Sequence, residues 1–472
     1  MYHIVYKLSS KKIYLLADST AQVIINMRES ILGVIMIKAL FKHIYKYYKD
    51  TFILAIAGVV IGVLVGIIDA AFGLGLNACT AIRTKYFWYL IWFLPLGGVF
   101  IWFIYHQFGK SVANGMKMVF HVGLGKNTKL PIRMVPLSVI GTWTTHLFGG
   151  SAGREGVAVQ IGAAVSNNVG RLVDKTIDIE NSRKMFLITG MAAGFSGLFC
   201  TPLAAIFFAL EVLVAGKLEY HALIPATVAS ISAAFTSRAL GLRKFHINIL
   251  ETLNYHPSTY NAVFLLKLAA MGLCFGIVGS LFALILRYLR LKFAFRFSSP
   301  VKKVLIMGSV IAVLMMVFHQ GRYSGTGSNL VALCFDGITD DIYAYDWILK
   351  MALTILTLSS GFIGGEVAPL FSIGSCLGYV LGPVFGFDPM FGAALGFASV
   401  FCSGSNTLLA AILVGVESFG YSMLPFFSVV CFVSFIFNFN NSIFTAQRVA
   451  FTRPTRRQRL KERLSKKKNI NN

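Results

Sequence analysis

Two short stretches decide the fold: Gly149-Gly150-Ser151-Ala152-Gly153-Arg154-Glu155-Gly156 and Gly361-Phe362-Ile363-Gly364-Gly365-Glu366-Val367. Each is a glycine-rich approach to an apolar segment of helical character, and each places a glutamate where that helix would begin. Glycine allows backbone N–H groups to converge on a small anion at a helix N-terminus. A glutamate there can fill the anion's place as a carboxylate and vacate it when protonated. That is proton-coupled anion transport in outline. The plainer reading is an N-terminal Glu that serves its own helix dipole.

The two stretches belong to a repeat. Gly153-Arg154-Glu155 runs on to Gly162, and Gly365-Glu366-Val367 runs on to Gly374, an offset of 212 residues. Further along, Leu203-Ala204-Ala205-Ile206 precedes Glu211, and Leu409-Ala410-Ala411-Ile412 precedes Glu417 at the same interval, offset 206. Two matches in the same order, at nearly equal offsets, indicate an internal duplication, with halves at about 51–240 and 260–447. Corresponding broken segments in two halves point to an ion site between them.

Composition places this repeat in a membrane. Of 472 residues, 56% are hydrophobic and 13% charged, against roughly 25% charged in a soluble domain. Apolar spans begin at about 52–72 and 87–105. Later ones are short and interrupted by glycine, as tilted or broken helices around a buried site would be. The reading is an all-α polytopic membrane protein.

The formal charge is +24. Residues 1–50 hold eight Lys/Arg against three acids, and residues 448–472 hold ten against one, so the ends account for 14 of the 24. These charges flank apolar spans, which suits topological anchors on anionic lipid better than a nucleic-acid partner. The positive-inside rule puts both termini in the cytoplasm of a multi-pass protein of the cell (inner) membrane. Residues 1–50 and 448–472 are then basic cytoplasmic segments around a transport domain at 51–447. Seven scattered cysteines form no CxxC or Cys/His pattern, so no metal or cofactor is expected.

Between residues 51 and 447 only fifteen acids occur. Five stand in apolar surroundings: Asp69, Glu155, Glu211, Glu366 and Glu417. A carboxylate at membrane depth is a functional hypothesis by default. For Asp69, Glu211 and Glu417 the preferred reading is structural, a carboxylate capping a helix or pairing with Arg. Glu155 and Glu366 are assigned to gating and proton transfer, and to the central anion and proton route.

Gly153-Arg154-Glu155-Gly156 with Ala158-Val159-Gln160-Ile161-Gly162 resembles the external-gate segment of the CLC chloride channel and transporter family. Gly194-Phe195-Ser196-Gly197-Leu198-Phe199-Cys200-Thr201-Pro202-Leu203-Ala204-Ala205, leading to Glu211, is similar to that family's next signature. Gly364-Gly365-Glu366-Val367-Ala368-Pro369 with Gly374 resembles its second-half anion loop. The likeness covers about 51–447 in the family's order. It implies a homodimer with one pore per subunit, each pore built from two inverted repeats, and makes Glu155 the gating glutamate.

The departures matter as much. Val112-Ala113-Asn114-Gly115-Met116-Lys117 stands where the chloride branch has Gly-Ser-Gly-Ile-Pro, and Val157 replaces the Pro after Gly156. The inner proton-transfer Glu of chloride exchangers falls at Val212, and the pore Tyr at Phe444. Loss of the Ser and of the inner Glu, with Glu366 gained, resembles the fluoride/proton antiporter branch. There a Met stands near the central anion, which maps to Met116, with Asn114 as the competing alignment. The implied anion-binding set is Asn114 or Met116 with Gly115, Gly156, Val157, Val367, Ala368 and Phe444. The expected function is export of fluoride in exchange for protons.

Two rivals stand beside it. One is a chloride or nitrate channel, or a chloride/proton exchanger, of the same fold. The other is an intramembrane serine protease, because Gly194-Phe195-Ser196-Gly197 fits a Gly-x-Ser-Gly turn with His221 and His246 downstream. A nucleophile needs a base within hydrogen-bond reach.

Overall fold

A computed structural model describes residues 2–110, 112, 114–126, 129–173, 182–243, 245–253, 261–336 and 341–450, with the side chains of 2–35, 37, 39, 43, 46 and 47 left out. Most of both basic ends, and Ala113, therefore lie outside the described side chains. The chain divides into two units, Met1–Leu54 and Ala55–Asn472.

The first-half helices are α1 (Tyr2–Lys85), α2 (Phe87–Leu90), α3 (Leu94–Phe108), α4 (Gly115–Gly123), α5 (Met134–Leu147), α6 (Glu155–Val173), α7 (Ser182–Phe199), α8 (Pro202–Glu211) and α9 (Leu223–Ala239). They are followed by α10 (Ile249–Thr252), α11 (Ala262–Arg296), α12 (Pro300–Val317), α13 (Ser328–Phe335), α14 (Asp346–Ser360), α15 (Val367–Val384), α16 (Pro389–Ser405), α17 (Leu409–Phe419) and α18 (Leu424–Ile436). Strands β1 (Val214–Ala215) and β2 (Arg448–Val449) pair in parallel. Among the described residues, five segments are long and apolar enough to cross a membrane: Tyr48–Lys85, Phe87–Phe108, Ala262–Arg296, Pro300–Val317 and Val367–Val384.

The helix ends are written locally. Asn261 caps α11 by accepting from the Phe264 N–H at 2.8 Å. Asp388 caps α16 through the Met390 N–H at 2.8 Å, with Pro389 at the first helical position. Asn406, with φ at 56°, ends α16 in a left-handed turn.

Packing repeats between the halves. Gly162 of α6 meets the Gly190 carbonyl of α7, and Gly374 of α15 meets the Gly396 carbonyl of α16, so closely that a methyl at either glycine would collide. Small residues let backbones approach in this way where lipid gives no hydrophobic drive for association. In α1, Gly62 and Gly66 pack on Ala229 and Ala233 of α9, while in α11 Gly272 and Gly276 pack on Val430 and Ser434 of α18. The succession α6–α9 therefore has a counterpart in α15–α18.

The two LAAI helices are locked by an exchange. The Glu211 carboxylate, at the end of α8, accepts from the Leu408, Leu409 and Ala410 N–H groups at 2.7, 3.1 and 3.3 Å, at the start of α17. The Glu417 carboxylate of α17 accepts from Leu203 and Ala204 at 3.3 and 2.9 Å, at the start of α8. Each glutamate satisfies donors left open at the other helix's N-terminus, where negative charge is also favoured. They cap helices, but across the repeat.

Asp69 departs from the expected capping or pairing. It is fully buried in α1, and neither carboxylate oxygen has a hydrogen-bond partner among the described residues. Its Oδ2 lies 2.5 Å from where a Cβ on Gly197 would stand, so the contact requires glycine there.

Candidate functional site

The two glycine-rich stretches cross. The Gly153 N–H donates to the Gly365 carbonyl at 2.6 Å, and the Gly365 N–H returns to the Gly153 carbonyl at 2.8 Å. This exchange sets the starts of α6 and α15 beside each other. A Cβ on Gly365 would stand 2.9 Å from the Gly156 nitrogen and 3.2 Å from the Glu155 nitrogen, so a side chain there would cover the first N–H groups of α6.

Glu155 is the first residue of α6 and 1% exposed. Its Oε2 accepts from its neighbour Arg154 N–H at 3.0 Å and, across the molecule, from the Ala368 N–H of α15 at 2.9 Å. The Arg154 guanidinium lies 3.8 Å from Oε1. The carboxylate thus takes donors at the head of the opposite helix, a place suited to a small anion. That goes beyond serving its own helix. Glu155 and Ala368 share a cavity of about 130 Å³ with Arg154 and Phe371.

Glu366 opens onto a different cavity, of about 550 Å³, together with Asn114, Gly115, Met116, Gln160, Arg290 and Phe444. It stands at the N-cap of α15, yet its side chain makes no capping bond. Its Oε1 accepts from Arg290 Nη2 at 2.7 Å. Its Oε2 lies 3.6 Å from where a Cβ on Gly156 would stand, and Met116 Cγ lies 3.9 Å from the same point. Of the two competing residues, Met116 reaches the head of α6, while Asn114 is an exposed N-cap residue of α4.

The structure gathers the remaining residues unevenly. Phe444 stacks on Phe120 with ring centroids 5.3 Å apart and meets the Phe208 ring edge-on at 6.1 Å. The positive edge of a phenyl ring is the part that can face an anion. Val367 is buried in the first turn of α15. Val157 is buried in the first turn of α6. Its N–H donates to the Arg154 carbonyl at 3.1 Å, and its side chain packs in a core cluster with Phe72, Ile161 and Leu198. The valine that replaces the family's Pro serves packing.

The sequence reading missed two cations. Lys350 of α14 is fully buried, and its ammonium donates to Ser151 Oγ at 2.9 Å and to the Tyr323 and Gly325 carbonyls at 2.9 and 2.7 Å. Ser151 lies in the approach to Glu155, so this lysine ties that approach to the loop before α13. A lone Lys in the apolar run Trp347–Leu358 was the available signal; a search for buried acids passes over it. Arg290 reads in sequence as part of the basic end of a span, one turn from Arg287.

The protease constellation is not assembled. Ser196 Oγ donates to the Ser230 carbonyl at 2.8 Å, His246 Nδ1 lies 3.1 Å from the Glu417 carbonyl, and His221 Nδ1 lies 3.6 Å from Glu219. The serine and both histidines are engaged apart from one another.

Residues 97–438 match the family described as voltage gated chloride channel. A chloride/fluoride channel protein of Pseudomonas syringae pv. tomato is 34% identical over 404 residues, covering 85% of this chain and 87% of that protein. The crystal structure of a CLC-type fluoride/proton antiporter superposes with a TM-score of 0.80 at 44% identity, covering 85% of this chain and 99% of the other. The H(+)/Cl(-) exchange transporter ClcA of Salmonella paratyphi B is 31% identical over 261 residues, 53% of this chain and 52% of that protein.

Proposed function

This chain belongs to the voltage-gated chloride channel (CLC) family, and from that premise we propose that it is an antiporter that exports fluoride in exchange for protons. The observation that carries the reading is the Glu155 carboxylate on the Ala368 N–H. A group that sits in an anion's place as a carboxylate, and leaves it when protonated, moves a proton one way as an anion moves the other. Glu155 is the gate and proton carrier. Glu366 belongs to the central anion and proton route.

Fluoride rather than chloride is favoured by the site's chemistry. Fluoride is small and strongly hydrated, so stripping its shell demands short, rigid donors, which backbone N–H groups at helix ends supply. Met116 and Phe444 stand where hydroxyl donors would serve chloride as well. The likeness to a structure titled as a fluoride/proton antiporter, at 44% identity, supports the same choice. The protein works as a homodimer in the cell membrane with both termini cytoplasmic, so the cavity beside Glu366 faces the cytoplasm and that of Glu155 the outside. The basic end of α11, with Arg287, Arg290, Lys292 and Arg296, agrees with this orientation.

The test is efflux from proteoliposomes followed with fluoride, chloride and pH electrodes. Fluoride should leave with proton entry, and chloride far more slowly. Chloride flux equal to fluoride flux would sustain the chloride-exchanger reading instead. Glu366→Ala should cripple fluoride transport, and normal turnover in that variant would remove Glu366 from the route.

A further inference from the structure

Glu366 has two unlike neighbours, one at each carboxylate oxygen. An N-cap side chain ordinarily folds back onto the first N–H groups of its own helix. Glu366 does not: its backbone is at φ −97° and ψ −18°, and its side chain makes no capping bond. Oε1 is held by Arg290 Nη2 at 2.7 Å through one charge-assisted bond rather than a bidentate fork. Oε2 is left beside Gly156, in the first turn of α6, where the helix end favours negative charge.

The two partners differ in freedom. Arg290 sits in α11, a helix of 35 residues pinned by Gly272, Gly276 and Gly279 against α18 and α16. Glu366 ends a glycine-rich approach. The guanidinium's anchor is therefore fixed, and the carboxylate is the part that can swing. The Arg290 side chain is also the more exposed of the two, 34% against 11% for that of Glu366, so an anion in the cavity meets the guanidinium before the carboxylate. The cavity that meets Arg290 also holds Arg287 and Lys117, three cations to the single acid Glu366. Anions entering it are drawn toward Arg290 first.

We propose that Arg290 is the positioning residue of the inner gate: it holds the Glu366 carboxylate as a plug beside Gly156 and exchanges that carboxylate for the incoming anion. An anion that reaches the guanidinium competes with Oε1 for the same N–H donor. Once displaced, Glu366 leaves the head of α6, and the anion moves on to Gly156. One guanidinium bond serves in turn as latch and as receiving site. A carboxylate beside Gly156 also prevents a second anion from occupying the position early. The inference deepens the transport reading and rests on it, since it takes the Glu366 cavity as the cytoplasmic anion route.

The test uses the full chain in liposomes, with initial fluoride efflux measured against internal fluoride concentration. Arg290→Gln should raise the half-saturating fluoride about tenfold, the scale of one lost hydrogen bond to a charged group. Arg290→Lys, which keeps the charge, should restore most of that loss. Arg296→Gln, at the end of the same helix, controls for a general loss of basic charge and should leave half-saturation unchanged. In the Glu366→Gln background, adding Arg290→Gln should cost much less than it does in the wild type, because the latch is already gone. Unchanged half-saturation in Arg290→Gln, or a loss equal to that of Arg296→Gln, would overturn the proposal, as would full additivity with Glu366→Gln. If Arg290→Gln does not reach the membrane, fluoride titration of purified Arg290→Ala by calorimetry decides: binding weakened about tenfold supports the latch, wild-type binding overturns it. Should the wild-type protein carry chloride and not fluoride, the fluoride assignment falls. The same variants, read with chloride, still judge Arg290.

Discussion

Glu155 and Lys350 show how single side chains shape the proposed gate. Glu155 was legible in the sequence because few acids stand in the apolar middle, and its glycine-rich approach announced a helix start. Glu155→Ala should keep fluoride moving but separate it from protons. A fluoride gradient that still drives protons uphill in that variant would remove Glu155 from the gate. Lys350 was not legible, because nothing in one sequence says that a lone lysine will point at Ser151 and two carbonyls. Lys350→Met would take the lysine donor from the Tyr323 carbonyl, while Ser151 Oγ keeps Thr354 Oγ1 and the Gly325 carbonyl keeps the Ala152 N–H, at about 1–3 kcal/mol for the group left unsatisfied. The unfolding midpoint in detergent should drop clearly, and Lys350→Arg should recover part of it. Met116 is the residue proposed for selectivity at the same scale: Met116→Ser should raise chloride flux relative to fluoride, and an unchanged ratio would shift attention to Asn114.

At the level of elements, the exchange between α8 and α17 is the most informative feature. The repeat of the LAAI blocks could be read from their offset, and so could the placement of Glu211 and Glu417 near helix ends. Their partners could not, because each glutamate caps a helix about 200 residues away. The bonds are structural, so Glu211→Ala and Glu417→Ala should each cost about 1–3 kcal/mol and lower the unfolding midpoint. Neither should alter the fluoride-to-proton ratio measured on the protein that remains folded. A changed ratio would place these carboxylates in the transport machinery.

The whole molecule adds an argument about assembly. The repeat-related helices α9 and α18 both leave large apolar side chains exposed, among them Ile224, Ile231 and Phe235 on one and Leu424, Phe432 and Ile436 on the other. Helices at a membrane interface gain from packing against one another as well as from lipid. Chemical cross-linking in liposomes should trap a species of two chains, and Ile231→Trp should weaken it. A protein that stays a single chain at high protein-to-lipid ratio would leave this face to lipid. The proposed orientation rests on charge: Lys38, Lys42 and Lys46 precede the first span, and Arg287 to Arg296 close the span at α11.

Sequence by itself determined the membrane class, the duplication and the two glutamates of the candidate site. Each of these rests on local chemistry: apolar composition, a glycine-rich approach, a charge where charge is costly. Tertiary structure alone decided which groups those glutamates meet. Glu155 reaches Ala368, 213 residues away, Glu366 reaches Arg290, 76 residues away, and the Val157 side chain packs against Phe72 and Leu198. The first contact depends on how the two halves meet at Gly153 and Gly365, the other two on how helices pack within one half, and no local pattern in the chain encodes either register.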